Sequence, residues 1–268
     1  MKTEAKRLIE VFPSAPQPVR KALGNRDLVE EQIGCSDTRV FRAIDRSGTF
    51  YLKTQSVPAF NSFAREVQIL DWLLGKLPVP EVIEFVQGSG DEYLLLSEVP
   101  GRNCVEAMEL LDHRRIVQLL AEGLHMIHSL EISDCPFDEG ILQKLSNAEQ
   151  NIRHDLIDED DFDEERRGWT SRQVLDLLRK EPPPESDLVF NHGDYCLPNI
   201  LIQDDRISGF IDLGRAGVSD RYNDLAIASR SIAYNLGATF EAQFFQVYGI
   251  DQVDAEKIAY YRLMDELF

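Results

Sequence analysis

Apolar and polar positions along the chain follow two periods. Residues 28–54 alternate with period two in three runs, LVEEQIG, TRVFRAID and TFYLKT, with Gly34 and Gly48 at the reversals, which predicts three strands. Residues 61–74 switch to a helical period, with Phe63, Val67, Leu70 and Leu74 as the apolar stripe and Glu66 on a neighbouring face. Gly75 ends that helix, Pro78 and Pro80 force an extended connection, and two further strands are expected at 82–86 and 93–98 around a turn at 88–91. Ahead of these, residues 1–21 mix a short amphipathic piece with Pro13, Pro16 and Pro18, predicting a brief helix and an irregular turn.

Beyond residue 98 the pattern is mainly helical. Leu119, Leu120, Leu124, Ile127 and Leu130 form a core stripe within 104–130, and helical spacing continues over 141–152, 174–178, the segment DRYNDLAIASRSIAYNL and residues 255–268. Between them, a strand at 188–190 precedes two apolar runs, 200–202 and 206–211, separated by Asp204 and Asp205 as in a hairpin with a polar turn. The expected architecture is α+β. Residues 1–98 form a small lobe of five antiparallel strands with one helix, and residues 99–268 a larger, mainly helical lobe.

The hairpin organises the candidate chemistry. His192, Asp194 and Asn199 stand at the spacing H-x-D-x-x-x-x-N, and the hairpin would return a second acid, Asp212, beside them. In kinases this loop supplies a catalytic base and a metal ligand. Asp194 suits the base, Asn199 and Asp212 are hard oxygen donors of the kind Mg²⁺ takes, and His192 suits a bracing role. Lys53, on the third strand, and Glu66, on the following helix, match the kinase pair that holds the α- and β-phosphates; a solvated lysine beside an unrelated acid is the plain alternative. His125 and His128 lie three apart without a third ligand nearby, and read as structural.

Composition narrows the partners. Among 268 residues, 28 Lys plus Arg face 47 Asp plus Glu, a formal net charge of −19 that opposes binding to nucleic acid or anionic membranes and favours cationic ligands, besides serving solubility. Eight acids lie between Asp155 and Glu165, either a solvated loop or a binding surface for cations. Cys35, Cys104, Cys135 and Cys196 are scattered without metal-ligand spacing, as expected of reduced thiols in the cytoplasm. No secretory signal or apolar run of transmembrane length stands out.

The segments HGDYCLPNILI and GFIDLGRAGVSDRYNDLA, with the chain end YYRLMDELF, resemble the aminoglycoside 3′-phosphotransferases, the kanamycin and neomycin kinases of resistant bacteria. The similarity runs from about Gly34 to the last residue. It implies a protein-kinase-like fold of two lobes, with ATP and Mg²⁺ as cofactors. The implied activity is transfer of phosphate to the 3′-hydroxyl of a cationic aminoglycoside, conferring resistance in the cytoplasm, by a monomer or weak homodimer. It also implies roles for single residues. Ser36, in a segment that could otherwise be an ordinary hairpin turn, would lie near the ATP phosphates, and the backbone at Glu98 and Val99 would meet adenine. Asp161, Asp163 and Glu164, Arg215 and Arg230, and the terminal Asp265, Glu266 and Phe268 would surround the antibiotic. Where the family often carries further acids, Ser231 and Tyr234 stand here.

A phosphotransferase for another small hydroxylated amine is the alternative. A silent nucleotide-binding module is disfavoured by the full set of Lys53, Asp194, Asn199 and Asp212. A protein kinase is disfavoured because Asp212-Leu213-Gly214 runs almost directly into DRYNDLA, leaving little room for a peptide platform.

Overall fold

The computed structural model describes residues 6–13, 15–31, 38–45, 48–56, 62–88 and 90–268. The chain divides into two compact units, Met1–Val99 and Pro100–Phe268.

In the first unit, β1 (Lys6–Arg7), α1 (Leu8–Val11) and α2 (Gln17–Leu23) precede β2 (Asp27–Glu31), β3 (Arg39–Asp45) and β4 (Gly48–Ser56). Then come α3 (Phe63–Leu73), β5 (Val82–Gln87) and β6 (Asp91–Ser97). The strands form one antiparallel sheet in the order β1-β2-β3-β4-β6-β5. It holds six described strands rather than five, and, besides α3, two short helices where one brief helix with an irregular turn was expected. The extra strand has only two residues, too few for a period to show, and exists through its pairing with β2. The N-terminal helices close one face of the sheet, where Leu8, Val19 and Leu23 pack on Leu28, Phe41, Leu52 and Leu95. Burying that apolar surface is what fixes these short helices, which are below the length that is stable alone.

Strand alternation then decides where Lys53 points. Leu52 and Thr54 are buried, so the lysine between them faces the other way. Helix α3 begins at Ser62, whose hydroxyl accepts the Ala64 amide. Its buried face is Phe63, Glu66, Ile69, Leu70 and Leu73. This corrects the expected stripe: Leu74 caps the helix and is exposed, and Glu66 lies on the buried face rather than beside it.

In the second unit, β7 (Arg102–Asn103), α4 (Cys104–Ala107), α5 (His113–His128), α6 (Ile141–Arg153) and α7 (Ser171–Leu178) lead to β8 (Leu188–Asn191). The chain continues through β9 (Ile200–Gln203), β10 (Arg206–Phe210), β11 (Gly217–Asp220), α8 (Tyr222–Leu236), α9 (Thr239–Tyr248) and α10 (Ala255–Asp265). Helix α5 packs on α9, and α8 on both α9 and α10. Leu120, Leu124, Ile127, Phe190, Phe210, Leu225 and Phe244 are buried. The predicted hairpin is present: β9 and β10 pair antiparallel with Gln203 opposite Arg206. Asp204 and Asp205 make the turn at positive φ, where Asp is one of the few side chains tolerated. A second pair, β8 with β11, sets Asn191 opposite Gly217. Among the described residues no helix is long and apolar enough to cross a membrane.

Candidate functional site

The loop from His192 to Asn199 leaves β8 and is held from below by one buried carboxylate. Asp224, in the first turn of α8, accepts the His192 amide at 2.7 Å and the Gly193 amide at 2.9 Å. His128 of α5 reaches the same carboxylate at 3.3 Å, and its other ring nitrogen meets the Tyr248 hydroxyl at 2.7 Å. Burial by itself would raise the Asp224 pKa, but the His128 contact and the loop amides outweigh it and hold the group ionised. Both histidines are buried and pushed down by that burial, so they serve as neutral hydrogen-bonding rings. The His128 reading as structural holds.

Gly193 is required here. It adopts φ of +85°, and a Cβ would collide with the carbonyl oxygen of Arg215. His192 turns the next residue, accepting the Asp194 amide on Nδ1 at 3.3 Å. A 3₁₀ turn, Leu197–Asn199, then brings the Asn199 side chain back, and its Nδ2 donates to the Asp194 backbone carbonyl at 3.0 Å and to Oδ2 at 2.9 Å. Ser231 of α8 supports this turn by accepting the Leu197 amide at 3.1 Å.

The hairpin returns Asp212 to this loop. The Ile211 amide donates to the Asn199 carbonyl at 3.1 Å, so Asp212 begins one residue from Asn199 in space. Asp212 is exposed and sits at φ of +60°, a left-handed conformation that L residues adopt at a cost. With Asn199 Nδ2 spent on Asp194, the amide oxygen remains as the acceptor of that side chain. The donor set is thus one amide oxygen and one carboxylate, which suits Mg²⁺ shared with phosphate oxygens rather than a cation held by protein alone. No cluster of three or more His, Cys, Asp or Glu able to hold a metal occurs among the described residues.

A second group of candidates meets at the chain end. Arg215 Nη2 lies 2.6 Å from Asp265 Oδ1, and Arg230 pairs with the other oxygen. Arg230 Nη1 is also 3.8 Å from Asp163. The two guanidinium charges overcome the upward push of burial and keep Asp265 below the usual carboxylate range. Asp265 is therefore a buried counter-ion, not the solvated end of a helix. Its neighbour Glu266 accepts the Asp163 amide on both carboxylate oxygens at 3.3 Å and lies 3.9 Å from Arg166. Burial, with the Asp163 charge added, raises its pKa to about 7. The Phe268 ring lies 5.0 Å from the Arg215 guanidinium carbon. Asp161 and Glu164 belong to two 3₁₀ turns, Glu159–Asp161 and Glu164–Arg166, and are exposed.

In the first unit, Lys53 Nζ lies 2.7 Å from Glu66 Oε1, a largely buried ion pair. Glu98 is exposed and Val99 half-buried, just past β6. Ser36 lies outside the described residues.

Two supports escaped the sequence pattern. Glu92 in β6 is buried at the start of α3, accepting from Ser62 at 2.6 Å, the Phe63 amide at 3.1 Å, Gln55 at 2.9 Å and Gln87 at 2.7 Å. It anchors the helix that carries Glu66, in the place where a helix N-terminus favours an anion. Asn191 aligns the other end, donating to Ser219 O at 2.9 Å and accepting the Asp224 amide at 3.3 Å. Neither residue belongs to a spaced motif; a lone polar side chain in an apolar strand was the available signal.

Comparison with known proteins places these features in context. The phosphotransferase enzyme family matches residues 31–265. An aminoglycoside 3′-phosphotransferase from Niallia circulans is 37% identical over 255 residues, covering 94% of this chain and 97% of that protein. A solved aminoglycoside-3′-phosphotransferase of type VIII superposes with a TM-score of 0.82 at 28% identity, covering 98% of both chains. The Streptomyces rimosus aminoglycoside phosphotransferase APH(3″)-Id, in complex with ADP and streptomycin, superposes with a TM-score of 0.79 at 25% identity, covering 98% of this chain and 99% of that one.

Proposed function

This chain belongs to the aminoglycoside 3′-phosphotransferases of the phosphotransferase enzyme family, and we propose that it transfers the γ-phosphoryl group of ATP to the 3′-hydroxyl of an aminoglycoside, conferring resistance. The observation that carries the reading is the loop in which Asn199 holds Asp194 while Asp224 fixes both amides beneath it. The relatives named for this activity and the related structure containing ADP and streptomycin support the same conclusion.

In this reading Asp194 is the base. The acceptor oxygen attacks the γ-phosphorus, the bond to the ADP oxygen breaks, and the hydroxyl proton passes to the Asp194 carboxylate. The Asn199 amide fixes the orientation of that carboxylate, so little reorganisation is left for the reaction. Asn199 and Asp212 would hold Mg²⁺, which when bound neutralises charge on the phosphates. Lys53, set by Glu66, steadies the α- and β-phosphates, and Ser36 with the backbone of Glu98 and Val99 completes the nucleotide site. Residues 1–98 serve as the nucleotide-binding lobe and 99–268 as the catalytic and acceptor-binding lobe.

An aminoglycoside carries several ammonium groups, for which the acidic loop and chain end supply acceptors. Asp161, Asp163 and Glu164 meet these cations, while Asp265 and Glu266, with Arg215 and Arg230, order the surface around Phe268. The test is ADP release from Mg²⁺-ATP with kanamycin and with tobramycin, its 3′-deoxy relative. Turnover with kanamycin alone is the expected result. Equal turnover with both would move the acceptor hydroxyl elsewhere, and turnover with neither would remove the proposal.

A further inference from the structure

Helix α6 packs Ile141, Leu145 and Ala148 into the core, and on the same buried side it carries two polar residues, Lys144 and Asn151, two turns apart. Lys144 is 2% exposed and Asn151 4% exposed. A lysine at that depth is uncommon, because burying an ammonium costs more than filling the space with an apolar chain of similar volume. Packing alone does not account for it.

Both side chains are directed to the last two residues. Asn151 Nδ2 donates to the Leu267 carbonyl at 2.9 Å. Lys144 Nζ lies 5.5 Å from the centre of the Phe268 ring, and Glu139, itself buried, supplies its counter-charge at 3.7 Å. The same ring has the Arg215 guanidinium carbon at 5.0 Å. Phe268 thus has two basic groups near its ring, the Arg215 guanidinium within the range of cation attraction and the Lys144 amine, which burial holds below its usual pKa beside Glu139. Arg215 also joins this end to the catalytic loop, through its carbonyl against Gly193 and its guanidinium on Asp265.

We infer that Lys144 and Asn151 form a clamp on α6 that positions Leu267 and Phe268, with Lys144 acting as a positioning residue through the Phe268 ring. The burial of the lysine limits its freedom to engage anything else, and it holds the partly exposed Phe268 ring as a fixed surface. That this surface receives the cationic acceptor rests on the proposed function; the clamp itself does not.

The test uses the full chain with Lys144→Met and Asn151→Leu, which keep approximate side-chain length while removing the polar contacts. Carboxypeptidase Y release of Phe268, followed by mass spectrometry, should rise by about fivefold or more in each variant, the factor expected from losing one buried polar contact. Urea unfolding measures global stability alongside. A release rate that is unchanged, or that rises only in proportion to lost global stability, overturns the clamp. In steady state, Lys144→Met should raise the KM for kanamycin with the KM for ATP unchanged, and this effect should vanish when Phe268 is deleted. Additive effects of the two changes would show that Lys144 does not act through Phe268. Absence of kanamycin turnover in the unaltered protein would count against the proposed function, while the release measurement would still decide the clamp.

Discussion

Asn199 donates its side-chain amide to the Asp194 carboxylate across 2.9 Å, and to the Asp194 backbone carbonyl as well. The first contact orients the carboxylate, and the second ties the same amide to the loop backbone. Asp194→Ala should lower kcat by about a hundredfold to ten-thousandfold while leaving ATP affinity similar, as loss of a base requires. Titration of nucleotide binding beside steady-state kinetics checks both halves, and retained turnover would exclude Asp194 as the base.

Gly193 is expected to tolerate no side chain. Gly193→Ala combines positive φ with a collision against the Arg215 carbonyl, so the loop must shift away from Asp224. Stability should fall by roughly 2–4 kcal/mol and activity should drop further than stability alone explains. Urea unfolding and kcat measured on the same preparation test this.

Asp265 is predicted to matter more to the fold than a ligand-binding acid would. Asp265→Asn leaves Arg215 and Arg230 without their shared counter-ion. Since both guanidinium groups retain some access to water, the cost should be about 2–4 kcal/mol, below that of a fully buried pair. A melting temperature equal to that of the unaltered protein would return Asp265 to a role purely in binding.

Glu266 should make acceptor binding depend on pH near neutrality. Its pKa rises from 4.5 to about 7 on folding, so the folded chain holds a proton there that the unfolded chain has released. This group's contribution to stability is therefore full below about pH 4.5 and is lost as pH rises through about 7. The ionised form, present above that point, favours a cationic acceptor. The KM for kanamycin should fall between pH 6 and 8, and Glu266→Gln should flatten both this change and the corresponding part of the stability profile.

Lys53→Met removes the cation that Glu66 holds at 2.7 Å. The KM for ATP should rise by about tenfold or more, with a smaller effect on the KM for kanamycin. Equal effects on both substrates would make the pair structural.

Much of this protein can be read from its order of residues. The H-x-D-x-x-x-x-N spacing, the acid beyond a short hairpin, and the lysine and glutamate on successive elements are local patterns, and local geometry suffices to express them. A four-residue strand, a two-residue Asp turn and a second strand bring Asp212 back to Asn199 in almost any fold. Five of the six described strands of the first unit were legible for the same reason, since alternating or short apolar runs between turn residues are local patterns.

Tertiary structure decided which charged groups face solvent and which are spent on each other. Nothing in the segment MDELF distinguishes an exposed Asp265 from one held by Arg215 and Arg230, because the partners are 50 and 35 residues distant. The placement of Glu66 on the buried face of α3, the anchoring of that helix by Glu92, and the Lys144 and Asn151 side chains on Leu267 and Phe268 share this character. Each depends on desolvation, which a residue acquires only when distant elements close over it. The chemistry available to this chain was thus set by its motifs, whereas the charges left free to meet a ligand were set by packing.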